Sequence, residues 1–283
     1  MGRFRLGLKL AGESWRVLRG HPALLAFPLA GTVLAILLVA PPALAGAYLL
    51  EEGSTVPGIA LLVLAAYLAA FVTAFMAVGL VATADVIMRG AEEGFGYGLR
   101  TAMSHLGAIS GWALINATLS LALGALESRG AAGQIAGSLV GGAWSVISLL
   151  AVPAIALEDA GPIQAIKRSA SIFRERWAGQ VTGMAAIGGL VFLLGVLPGV
   201  LLAILGFAVL SGGGGGGELA AGEVMIALGV LIAAVALLIS AALRQVFAAA
   251  LYRYATTGEA PPAFAEEDLR SAVRSRGAQP ATA

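Results

Sequence analysis

Apolar residues run along this chain in six unbroken stretches, and polar residues gather in short segments between them. No Asp, Glu, Lys or Arg occurs in 20–50, 53–84, 101–126, 130–157, 177–217 or 224–243. Each stretch meets or exceeds the roughly 20 residues that a helix needs to cross the hydrocarbon core of a bilayer. None alternates with period two, and only helices or closed barrels satisfy their backbone in lipid. The pattern predicts an all-α membrane protein with six transmembrane helices, near 23–48, 58–83, 106–126, 134–157, 180–210 and 223–244.

Three of the intervening segments have a helical period of their own. Residues 3–19 set Phe4, Leu8, Ala11, Trp15 and Leu18 on one side and Arg5, Lys9 and Arg16 on the other. Residues 163–177 oppose Ile163, Ile166, Ala170, Phe173 and Trp177 to Lys167, Arg168, Arg174 and Glu175; residues 95–106 are a weaker version, with Phe95, Leu99, Met103 and Leu106. Such amphipathic helices lie in the membrane interface with the basic side toward anionic headgroups. The segments share a motif: Gly7-Leu8-Lys9-Leu10-Ala11, Gly98-Leu99-Arg100-Thr101-Ala102 and Ala165-Ile166-Lys167-Arg168-Ser169. A bulky apolar residue follows the basic one by six positions, at Trp15, Leu106 and Phe173. Each segment precedes two spans. The predicted architecture is three repeats of an interfacial amphipathic helix plus a transmembrane hairpin.

The membrane domain covers 1–257. The Ala-, Pro- and charge-rich tail, 258–283, is expected to be a disordered cytoplasmic extension. Gly212 to Gly217 are six consecutive glycines, a flexible linker; a phosphate-binding loop would end in Gly-Lys-Ser/Thr after a strand.

Charge orients the spans. Of 17 Lys and Arg residues, 16 fall on one side of the membrane that these helices define; the other side has only Arg129. The positive-inside rule places both termini in the cytoplasm, in a cell (cytoplasmic) membrane. Ala43-Leu44-Ala45 looks like a signal-peptide cleavage site, but the apolar run from Ala23 exceeds a usual signal core, so the first span is expected to be retained.

Little in the sequence points to catalysis. The soluble segments are about 20 residues each, too short to fold alone. Cysteine is absent, so thiolate chemistry and disulfides are excluded. There is no His-Glu-x-x-His, and His105 lies five residues from Ser110 on one helix, facing elsewhere. His21 and His105 begin spans and are read as interfacial caps; no metal or cofactor is expected. Asn116-Ala117-Thr118 matches a glycosylation sequon but lies mid-span.

Asp85 is expected at a helix end, paired with Arg89. Glu158-Asp159 and Gly161-Pro162 are read as a hinge, in which Gly161 permits the turn and Pro162 opens the next helix with Asp159 near its N-terminus. Prolines 41, 42, 153 and 198 are expected to kink or break their helices. Gly-x-x-x-Gly pairs at 107–111, 137–141 and 195–199 offer weak support for close packing. The spans contain no charge, which argues against ion-coupled transport. Thr73, Asn116 and Ser145 are the residues that would line a polar cavity.

These residues resemble a known set. Ser14-Trp15-Arg16-Val17-Leu18, Phe27-Pro28, Gly98-Leu99-Arg100, Gly111-Trp112-Ala113, Val152-Pro153, Glu158-Asp159-x-Gly161-Pro162, Ala165-Ile166-Lys167-Arg168-Ser169 and Tyr252-Arg253-Tyr254-Ala255-Thr256-Thr257-Gly258 look like an uncharacterised prokaryotic family of six-helix integral membrane proteins. The likeness runs from about residue 5 to 264. That family is similar, more distantly, to the membrane domain of some glycerophosphodiester phosphodiesterases. The resemblance implies the same helix-plus-hairpin architecture; it implies no phosphodiesterase, because this chain lacks the catalytic barrel.

The functional expectation is a non-enzymatic membrane protein that binds anionic lipid headgroups through Lys9, Arg16, Arg19, Arg100, Lys167, Arg168, Arg174 and Arg176. The alternative is a transporter or channel for a small or lipid-like molecule. Nucleic acid is not an expected partner; homo-oligomers are compatible with the sequence.

Overall fold

A computed structural model describes residues 2–176, 192–212, 216–262, 264–266 and 269. The described residues form helices and turns, with no strand among them. Helix α1 is Gly2–Gly20; a 3-10 turn, Pro22–Leu25, leads into α2, Ala26–Glu51. Then come α3 (Thr55–Met88), α4 (Phe95–Ser104), α5 (Leu106–Glu127), α6 (Ala131–Glu158) and α7 (Pro162–Arg176). A π-helical turn, Phe192–Val196, opens α8 (Leu197–Ser211), and α9 is Gly216–Thr257. Six of these elements are long and apolar enough to cross a membrane: α2 with its 3-10 turn, α3, α5, α6, α8 with its π turn, and Leu219–Thr257 of α9.

The long helices pair as hairpins, α2 along α3, α5 along α6 and α8 along α9. In lipid no hydrophobic force separates helix from solvent, so close backbone approach matters more. Gly199 and Gly229 supply it in the third hairpin. A Cβ on Gly199 would lie 2.6 Å from the Gly229 carbonyl oxygen, and one on Gly229 would lie 2.5 Å from that of Gly199. The second glycine of the 195–199 pair thus packs as its spacing suggests, whereas Gly107 faces open space.

The bundle is packed at one end. There α3 buries Met76–Met88, α6 buries Leu150–Ala156, and α9 buries Val246–Tyr252. Toward the opposite end Leu44, Tyr48, Val56, Leu139 and Phe207 are exposed apolar side chains, suited to lipid contact. The short helices sit at the packed end. α4 docks on α3 through Gly98 and Ala102, and α7 docks through Ala165 and the buried Ser169, whose hydroxyl donates to the Ile147 carbonyl of α6.

Several expectations are revised. α2 continues through Pro41 and Pro42, and α6 through Pro153, as unbroken helices. Each proline removes a single backbone donor, and the turns on either side hold the helix. α9 runs to Thr257 rather than ending at 244, because its last turns are buried in protein instead of emerging at charged residues. The tail is not disordered where it is described: Phe264 is 4% exposed and Leu269 0%, in the same core as Val17 and Leu18, and the Ala265 N–H donates to Glu13 Oε1 at 3.1 Å. Trp177 and the start of the fifth predicted span, 180–191, lie outside the described residues, as do glycines 213–215.

Candidate functional site

The packed end brings together charges from helices far apart in sequence. α3 carries Asp85 past the predicted membrane edge into the interior, where its side chain is 6% exposed. Arg89, one turn on, reaches one carboxylate oxygen at 2.8 Å. Arg253 of α9 reaches the other, Nη1 to Oδ1 at 2.9 Å, across 168 residues of sequence. The sequence pattern anticipated the Arg89 pair; it missed Arg253 and the burial of Asp85. A signal was present: residues 245–257 contain no Gly or Pro, so α9 had no reason to stop before Gly258.

Beside this triad lies a second pair. Glu158, the last residue of α6, accepts from Arg168 of α7 in a fork, Nε to Oε2 at 3.1 Å and Nη2 to Oε1 at 3.0 Å. Bidentate geometry fixes orientation as well as charge. The Glu158 carboxylate, and after it the Tyr252 hydroxyl, raise the pKa of Arg168 above its ordinary value, so the guanidinium stays charged. Tyr252 is itself 1% exposed. A cavity of about 320 Å³ is lined by Asp85, Arg89, Tyr97, Glu158, Tyr252 and Arg253, together with Thr256 and Thr257. Its charges are already paired, so the arrangement is two locks on one cavity, one tying α3 to α9 and one tying α6 to α7.

The turn between α6 and α7 differs from the expected hinge in its working residue. Asp159, not Gly161, has the left-handed conformation, with φ 54°. Asp tolerates that region because its short polar side chain can bond locally. Asp159 closes the end of α6 and its carboxylate lies 3.1 Å from His105 Nε2. Gly161 has no such constraint; a Cβ there would meet only Gln164 Oε1, at 3.8 Å. Pro162 opens α7 as the sequence suggested, and it packs on Gly111 of α5.

The basic residues on the short helices separate into two groups. Lys9, Arg16 and Arg19 on α1, Arg100 on α4, and Lys167 and Arg174 on α7 are exposed. Arg168 is taken up by Glu158. Arg176 ends α7, and its side chain is outside the described set. Thr73, Asn116 and Ser145 sit on α3, α5 and α6 in different local settings. Thr73 lines an apolar groove between α2, α3 and α9, whose lining includes neither of the others. Asn116 clamps the second hairpin: its Nδ2 donates to the Trp112 carbonyl at 2.9 Å and its Oδ1 accepts from Trp144 Nε1 at 3.1 Å. The two indoles stack at 5.5 Å. Ser145 is exposed and bonds back to the Gly142 carbonyl.

Six apolar membrane-length helices, two of them joined by a buried ion pair at the packed end, make this an all-helical multi-pass membrane protein. A family of unknown function, DUF6159, matches residues 56–262, and the chain belongs to that family. The matched segment contains the whole Asp85–Glu158–Arg168–Arg253 cluster, while α1 and all of α2 precede it. No curated protein and no solved structure matches the chain.

Proposed function

We propose that this is a non-enzymatic protein of the cytoplasmic membrane, with both termini inside, that holds anionic lipid against its short basic helices. The observation that carries the reading is the fate of charge at the packed end. There Asp85 and Glu158 are consumed in ion pairs, while Arg16, Arg19, Arg100, Lys167 and Arg174 remain exposed. Each cation near an anionic surface contributes about 1 kcal/mol of attraction.

The three-repeat reading supports the same function. Matching motif positions behave alike: Gly98 and Ala165 are buried, as are Ala102 and Ser169, while Lys9, Arg100 and Lys167 are exposed. The second and third units thus dock through their small residues, and all three present a cation outward.

The test is native mass spectrometry of protein extracted from bilayers of mixed phosphatidylglycerol and phosphatidylcholine. A variant with Arg16, Arg19, Arg100, Lys167 and Arg174 changed to Gln should lose most bound phosphatidylglycerol. Retention equal to that of the parent protein would overturn the reading. Arg168→Gln alone should alter stability rather than lipid content, since its guanidinium is already engaged by Glu158.

A further inference from the structure

A groove of about 530 Å³ lies among α2, α3 and α9, within the roughly 300–1,000 Å³ range of ligand pockets. Its walls are recessed because the facing positions are small: Gly31 and Ala35 on α2, Thr73 and Ala77 on α3, Ala234 and Ala241 on α9. One end is different. Arg244 and Gln245 line it there, beside Phe27 and Leu80.

Arg244 belongs to the long apolar stretch of α9, is exposed, and has no ion-pair or hydrogen-bond partner among the described residues. An arginine at the end of an apolar span ordinarily pairs with a neighbouring group, reaches toward the headgroups or faces a functional cavity. The other intrahelical cation of α9, Arg253, has Asp85; Arg244 has a groove. The lining of α9 runs from Ala234 to Gln245, a rise of about 16 Å. That matches one leaflet of a hydrocarbon core about 30 Å thick. The groove is therefore apolar over the length of a single acyl chain and cationic at the end nearer the packed, basic side of the bundle.

We infer that the groove holds one anionic phospholipid, an acyl chain lying along Gly31, Thr73, Ala77 and Ala241 and its phosphate on Arg244, with Gln245 as an auxiliary donor. This occupant is distinct from the lipid gathered by α1, α4 and α7, and the inference does not rest on that reading.

The experiment uses the full chain in nanodiscs with a phosphatidylglycerol carrying a photoreactive group on one acyl chain. Illumination should crosslink it to α2, α3 and α9 residues of the groove in preference to Leu139 and Phe207, which are exposed on other helices. A phosphatidylcholine probe, Arg244→Gln, or both should lower the groove crosslink about fivefold, the factor set by one cation at an anionic surface. Arg244→Lys should keep it, and Ala241→Phe, which fills an exposed wall position, should abolish it. The variant with five interfacial cations changed to Gln should leave the groove crosslink intact. Uniform labelling around the apolar belt would overturn the groove. Equal labelling by the two headgroups, or no effect of Arg244→Gln in a monodisperse protein, would overturn the anionic assignment.

Discussion

Removing the Asp85 charge should expose how unequal its two partners are. Arg253 is 23% exposed and bonds a carboxylate that is 6% exposed, whereas Arg89 is 50% exposed. A hydrogen bond to a charged group in a protected place contributes roughly 1.5–3 kcal/mol. An i,i+4 pair with one partner in solvent contributes about 0–0.5 kcal/mol once screening and side-chain entropy are counted. Two double-mutant cycles separate these terms, one on Asp85→Asn with Arg253→Gln and one on Asp85→Asn with Arg89→Gln. Reversible unfolding in mixed micelles, followed by helical circular dichroism, gives the coupling energies. The first cycle should yield about 1.5–3 kcal/mol and the second below about 0.5 kcal/mol. Equal couplings, or a coupling to Arg253 no larger than that to Arg89, would refute the idea that this pair locks α3 to α9.

Gly98→Ala should destabilise by at least 1–3 kcal/mol, because its Cβ would strike the Gly79 carbonyl oxygen, Thr83 Oγ1 and, at 2.5 Å, Phe27 Cζ. Gly107→Ala, which meets nothing within 4 Å, should stabilise α5 by about 0.5–1 kcal/mol; melting in detergent ranks the two. Asp159→Asn should be nearly neutral in the same assay and Asp159→Val should cost about 1–2 kcal/mol, since a branched side chain resists the left-handed conformation; similar melting of the two would discredit the turn. Reporter fusions after Gly53 and Gly130 should signal outside and those after Gly94 and Gly161 inside, and an outside signal at Gly161 would reverse the topology.

The membrane helices were legible because charge is costly in lipid, so its absence marks a span with little ambiguity. The short helices lie where their period placed them, but they dock through the small residues Gly98, Ala102, Ala165 and Ser169, while Met103 and Ile163 of the expected apolar faces are exposed. What stayed hidden depends on partners distant in sequence. Nothing near Asp85 names Arg253, and a boundary rule that stops a helix at its first charge ends α9 thirteen residues early, at 244 instead of Thr257. The turn was assigned to Gly161 on propensity, yet Asp159 adopts the left-handed conformation, because the end of α6 required it one step after Glu158. Phe264 and Leu269 were discounted because composition governed the reading of the tail, while two apolar side chains suffice to dock it.

The contact between Glu13 and the backbone of Ala265 joins the second decade of the chain to its last few. During synthesis α1 emerges well before Phe264 and Leu269, which help to form the surface that receives it. α1 must then wait until all three hairpins are inserted. Closing a free loop of 252 residues would cost about 5 kcal/mol in chain entropy. Inserted hairpins shorten that loop to a few crossings and make closure feasible. The seam between α1 and the segment around Phe264 thus closes after the hairpins that separate them. It is also the first place where premature termination would be felt, as an unsealed bundle whose membrane helices are all in place.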